Sequence, residues 1–94
     1  MKIWEISEYK VEVLIPQLSE RIDINKINKE QIFSLMNSLF ENCSNYELAS
    51  EDDFNNVKDP VKREISIQIN KVLCEFVSNI DEQKRYIKQK FPSL

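Results

Sequence analysis

The side chains best placed to do chemistry in this sequence are carboxylates gathered between Glu41 and Asp59. Six acids, Glu41, Glu47, Glu51, Asp52, Asp53 and Asp59, stand there against one base, Lys58, with Tyr46 and Phe54 among them. Three chemistries suit such a cluster. Paired carboxylates can run acid–base hydrolysis, but a glycosidase or nuclease needs a deeper cleft than a chain of 94 residues readily forms. Carboxylates can also hold Ca²⁺, and Asn55 and Glu64 do fall at EF-hand spacing from Asp53. Lys58, however, stands where that loop needs glycine, Val57 replaces an oxygen ligand, and Pro60 interrupts the loop. The third chemistry is recognition of a basic protein, in which charge steers the encounter and an aromatic anchors it. It makes Glu47, Glu51, Asp52, Asp53, Tyr46 and Phe54 the candidate partner-binding residues. A local explanation competes, since acids near helix N-termini favour the dipole. That is enough for Asp59, and less so for three adjacent carboxylates that repel one another.

Two absences narrow the field further. The chain has no glycine and no histidine. Without glycine there is no phosphate-cradling loop and no dinucleotide fingerprint. Without histidine there is no His-based triad and no side chain with an unperturbed pKa near 7. The two cysteines, Cys43 and Cys74, are too few for a metal set or a disulfide framework. They read as small apolar residues of a reduced compartment, with a single bridge still open. The expectation is a protein that is not an enzyme and carries no cofactor and no metal.

Net charge is −3, which argues against general nucleic-acid binding. Its distribution is uneven. Residues 1–59 hold six bases and twelve acids, net −6, whereas 60–94 hold seven and four, net +3. Such asymmetry suits either an oppositely charged partner or ordinary solvated helix faces. Lys84-Arg85-Tyr86-Ile87-Lys88-Gln89-Lys90-Phe91 superficially suits an anionic surface. The preferred reading has its cations complementing a helix C-terminus while Tyr86, Ile87 and Phe91 pack inward. Charges at Lys2, Glu5, Glu8 and Lys10 rule out a signal peptide, and no apolar run reaches membrane-spanning length. A cytoplasmic protein with no membrane contact is expected.

The elements that must position these residues read as helices. Val11, Leu14, Ile15, Leu18 and Ile22 recur at helical spacing after a possible cap at Ser7, with Pro16 either kinking the helix or dividing it. The stripe keeps its phase across the proline, which favours a kink. Asn28 and Gln31 form a capping box, and Ile27 and Ile32 a hydrophobic staple, for a helix from Lys29 to about Cys43. Its apolar face carries Ile32, Leu35, Met36, Leu39, Phe40 and Cys43. Ser50 and Asp53 suit a short helix over 51–57. Asp59-Pro60 opens a third main helix whose face carries Val61, Ile65, Ile69, Val72, Leu73, Phe76, Val77 and Ile80, leaving Ile67 off the stripe. Past Ile80 it either continues or restarts behind an Asp81 cap. Trp4 and Ile3 are expected to close one end of the core. With no glycine, Asn45 and Asn79 are candidate left-handed caps. The sum is an all-α fold: residues 1–94 as one domain, a small antiparallel helical bundle of four to five helices.

The short acidic chain and its segment Tyr46-Glu-Leu-Ala-Ser-Glu-Asp-Asp-Phe54 resemble the small helical immunity proteins of colicin and contact-dependent growth inhibition systems. The likeness spans the chain in general character, without a matched motif. It implies a bacterial protein that binds a cognate toxin domain, commonly a nuclease, and covers its basic active-site surface. The alternative is a helical regulatory or adaptor module that dimerises, or binds another protein, through an apolar helix face such as one around Ile67.

Overall fold

Val11–Ile15 holds three β-branched residues at alternate positions, a pattern that fits a pleated, half-buried surface. In the computed structural model, which describes residues 1–92, this segment is a strand and not a helix. The all-α expectation is therefore corrected: the fold is α+β, a three-stranded antiparallel sheet covered by two helices. The strands are β1 (Trp4–Ile6), β2 (Val11–Ile15) and β3 (Glu20–Asp23), in that order across the sheet.

Val11 and Ile15, four apart, satisfy both periods, and Leu14 on the far face completes a false helical stripe. Ser7 caps a turn and not a helix: its amide donates to the Lys10 carbonyl at 2.8 Å, and its hydroxyl accepts from the Lys10 amide at 3.2 Å. Pro16 opens a 3₁₀ turn, Pro16–Leu18, that reverses the chain into β3 through Ser19 at φ 52°, ψ 34°. Ser19 is the sole positive-φ residue among those described, so the left-handed caps expected at Asn45 and Asn79 are not formed.

Pairing places Trp4 opposite Val13, Ile6 opposite Val11, and Ile22 opposite Val13. One face thus carries Trp4, Ile6, Val11, Val13, Ile15 and Ile22 toward the helices. On the other, Arg21 lies opposite Leu14 and reaches across it. Its guanidinium donates to the Ile3 and Lys2 carbonyls and pairs with Glu5 at 3.3 Å. Leu14 is buried in this arrangement although it points away from the helices.

The helix starts follow the sequence. Helix α1 spans Lys29–Asn42, and both arms of its capping box are present, at 2.8 and 2.9 Å. Helix α2 spans Pro60–Lys90 without a break at Asp81, and the Asp59 carboxylate accepts from the Val61 and Lys62 amides. The buried face of α2 differs from the apolar stripe. Ser66, Ile67, Asn70, Leu73 and Ile80 face inward, whereas Val61, Ile65 and Val72 are exposed. Ser66 and Asn70 occupy the middle of the packed face, so counting apolar residues alone rotates it. Ile67 belongs to the core and is 9% exposed, too little to form an apolar docking face. Phe40 of α1 is likewise half exposed, its ring met by the Lys84 ammonium 5.7 Å away.

The core joins Trp4, Val11, Val13 and Ile15 of the sheet to Leu35 and Leu39 of α1 and to Ile67 and Leu73 of α2. Ile3, Ile24, Phe54 and Val57 complete it from the connecting segments. After Ile80 every described residue of α2 is exposed. The molecule measures 51 × 26 × 21 Å, and 31 residues of helix span about 46 Å. The last turns of α2 therefore project beyond the body.

Candidate functional site

The acidic segment is irregular in outline but fixed at several points along its length. The chain's amino group donates to the Asn45 carbonyl at 3.0 Å, and Glu47 forms a parallel bridge with Lys2. The Ile3 amide donates to the Glu47 carbonyl, and the Glu47 amide to the Met1 carbonyl. Two residues further, the buried Asn70 of α2 donates its side-chain amide to the Ala49 carbonyl at 2.6 Å. Ser50 then opens the 3₁₀ helix Glu51–Phe54, with its amide held by the Asp53 carboxylate at 2.9 Å. Val57 is buried, and its carbonyl accepts from Arg63 at 3.1 Å.

This scaffold sorts the six candidate residues. Glu47, Glu51, Asp52 and Asp53 are exposed, and none forms an ion pair among the described residues. Adjacent carboxylates that gain nothing from a neighbouring cation are costly to hold together, unlike acids dispersed over a surface. Tyr46 is half-buried and stands apart. It lines a shallow depression with Pro16, Gln17, Ser38, Glu41 and Asn42 near the end of α1. Phe54 is corrected outright. It is fully buried and packs edge-on against Trp4, so it holds the acidic turn to the core and presents nothing to a partner.

Beside the turn lies a cavity of about 410 Å³, lined by Lys2, Trp4, Ile6, Glu47, Leu48, Ala49 and Asp53. It brings Glu47 and Asp53 together, while Glu51 and Asp52 lie outside its lining. Lys2, Trp4, Ile6, Leu48 and Ala49 were not legible as site residues from composition or charge. Residues 1–6 alternate weakly, a signal that makes Trp4 and Ile6 neighbours on one strand face but says nothing of Leu48 and Ala49.

No group of three or more His, Cys, Asp or Glu side chains among the described residues is arranged to hold a metal ion. Cys43 and Cys74 are free thiols and only half-buried, so neither is the fully packed residue expected. Desolvation raises the Cys74 thiol above its ordinary pKa. At the other end of the molecule, Tyr86, Ile87 and Phe91 are about half exposed, at 60%, 48% and 52%. The inward packing expected of them does not occur, because α2 has already passed the edge of the core. No helix is long and apolar enough to cross a membrane among the described residues.

Fold and surface together define a small α+β domain with a rigid acidic edge and a cleft beside its first strand. Comparison with protein-family models, with curated proteins and with solved structures finds no match.

Proposed function

We propose that this chain is a protein-binding inhibitor, an immunity protein that neutralises a bacterial toxin by laying its acidic edge on a basic active-site surface. One observation carries the reading: Glu47, Glu51, Asp52 and Asp53 are exposed and without ion pairs among the described residues, on a backbone pinned by Asn70, Phe54 and Lys2. Carboxylates held this way are preorganised for cations that a partner supplies, and they lose little freedom on binding. A nuclease groove is basic because it holds phosphate, so the same carboxylates stand in for phosphate oxygens. Binding is fast and weakens as salt screens the charges.

Calorimetric titration against the product of the neighbouring gene tests the reading. The triple variant Glu51→Lys, Asp52→Lys, Asp53→Lys is expected to lose at least 100-fold in affinity at low salt. Affinity equal to wild type removes this edge as the interface.

A second reading is a self-associating or adaptor module. It is favoured by the projecting end of α2, where Tyr86, Ile87 and Phe91 are exposed, and not by Ile67, which is buried. Light scattering separates the two: a stable dimer abolished by Ile87→Glu supports the adaptor module, and a monomer at high concentration supports the inhibitor.

A further inference from the structure

The hydrogen-bond phase of the sheet leaves part of β1 unpaired. In an antiparallel ladder, residues of one strand alternate between pairing toward one neighbour and toward the other. The Ile24 amide donates to the Val11 carbonyl, so Val11, Val13 and Ile15 turn their main-chain groups toward β3. The Ser7 amide donates to the Lys10 carbonyl and the Leu14 amide to the Ile3 carbonyl, so Lys10, Glu12 and Leu14 turn theirs toward β1. On β1 the residue bonded to β2 is then Glu5, opposite Glu12. By this phase the amides and carbonyls of Trp4 and Ile6 point the other way, to the outer edge, where no main-chain bond from outside the strands reaches them among the described residues.

That edge borders the 410 Å³ cavity, which Trp4 and Ile6 line. The chain itself begins to fill it. Glu47 pairs in parallel with Lys2 for a single step, and then Leu48 and Ala49 diverge toward the 3₁₀ turn. The segment returns to the β1–β2 hairpin at Lys58, whose amide donates to the Glu8 carbonyl at 2.8 Å, so the opening beside Trp4 and Ile6 lies between these two ties. Trp4 adds a further unmet donor: it is 95% buried, and its indole Nε1 has no partner.

From this geometry we infer that the partner enters as a strand: an extended, basic segment pairs with the outer edge of β1 between Trp4 and Ile6. Main-chain groups supply the pairing, and alternate side chains of the segment select it. Glu47 and Asp53 line the same cavity, two carboxylates against the single cation Lys2, and receive the segment's Lys or Arg side chains, while Leu48 and Ala49 meet the apolar residues between them. This deepens the inhibitor reading and rests on it, since it names the element through which the acidic edge is engaged. It also accounts for the shortness of β1, because a longer open edge would invite indiscriminate pairing.

The test uses the whole chain, ¹⁵N-labelled, and heptapeptides in which Lys alternates with Val, Thr or Tyr. A matched set carries Glu in place of Lys, and a third set is N-methylated at alternate residues. Expected for the Lys set are large amide shifts at Trp4, Ile6, Leu48 and Ala49, and at least tenfold slower exchange of the Trp4 and Ile6 amides. The Glu and N-methylated sets are expected to bind at least tenfold more weakly. Ile6→Pro removes one edge donor without touching a bond to β2, and it should weaken the Lys set by a similar factor while unfolding cooperatively. Lys peptides that shift Glu51–Asp53 without protecting Trp4 and Ile6 overturn strand addition and leave the acidic-edge reading standing. Equal binding of the Lys and Glu sets overturns the acidic edge, and with it the basic segment proposed here. No binding by any set overturns strand addition.

Discussion

Trp4 and Phe54 meet edge to face, ring centroids 5.0 Å apart and planes at 85°, and this contact joins the first strand to the acidic turn. Both rings are buried, Phe54 completely. The turn Glu51–Phe54 is a single 3₁₀ helix of four residues, too short to hold itself in water. Its position therefore depends on the Phe54 ring. Phe54→Ala is expected to cost about 3–5 kcal/mol, and urea denaturation measures it. Phe54→Leu should recover more than half of that loss. Partner affinity should fall further in Phe54→Ala than in a surface variant of equal stability.

Asn70 sits 4% exposed on α2 and donates to the Ala49 carbonyl. Asn70→Asp replaces that donor with a carboxylate facing a carbonyl oxygen. A loss of about 1–3 kcal/mol follows at pH 7, and the acidic segment should loosen with it. Exchange of the Ser50 and Asp53 amides reports the loosening, and unchanged exchange would show that Asn70 does not set the backbone there.

Ser19 holds a left-handed conformation that a side chain disfavours by roughly 1 kcal/mol. Ser19→Gly should stabilise the fold by about that amount, raising Tm by about 4–8 °C for a domain of this size. Glycine at Pro16 should do the opposite, because it frees a φ that the turn requires fixed. Differential scanning calorimetry of the two variants checks the pair.

Cys74 keeps its proton to higher pH in the native state than in the unfolded chain, because burial penalises the thiolate. The stability this contributes is complete below the unfolded pKa, about 8.5, and is lost as pH rises through the folded one. Cys74→Ser should flatten the decline of stability as pH rises above about 8.5. Thiol labelling of the native protein should reach Cys74 only at pH values above those that suffice for a free peptide cysteine.

The projecting end of α2 is exposed throughout, and the Lys84 ammonium, at the Phe40 ring and carbonyl, ties it to α1. Amides of residues 84–90 should exchange orders of magnitude faster than those of Ser66–Leu73, which lie on the packed face. Ile80, 4% exposed, marks the boundary. Ile80→Ala should cost about 2–4 kcal/mol, whereas Ile87→Ala should change stability by less than about 0.5 kcal/mol. Chemical denaturation of the two variants measures the difference.

What the sequence determined by itself is the part of the fold written in local chemistry. Asn28 with Gln31, and Asp59 with Pro60, specify where α1 and α2 begin, because a cap is satisfied by residues within one turn. The placement of acids between Glu41 and Asp59 and their solvent exposure were equally legible, since carboxylates stay in water unless paired. Other features waited for tertiary structure. Val11, Leu14, Ile15 and Ile22 fit a helical and a strand reading alike, and only pairing with Trp4–Ile6 and Glu20–Asp23 decides between them. Phe54 looked like an exposed aromatic because its immediate neighbours, Glu51, Asp52, Asp53, Asn55 and Asn56, are polar; its partner, Trp4, lies fifty residues away. Tyr86, Ile87 and Phe91 looked like core because helical spacing says nothing of where the core ends. Burial is a property of what folds against a residue, and these three lie past Ile80, the last buried position of α2.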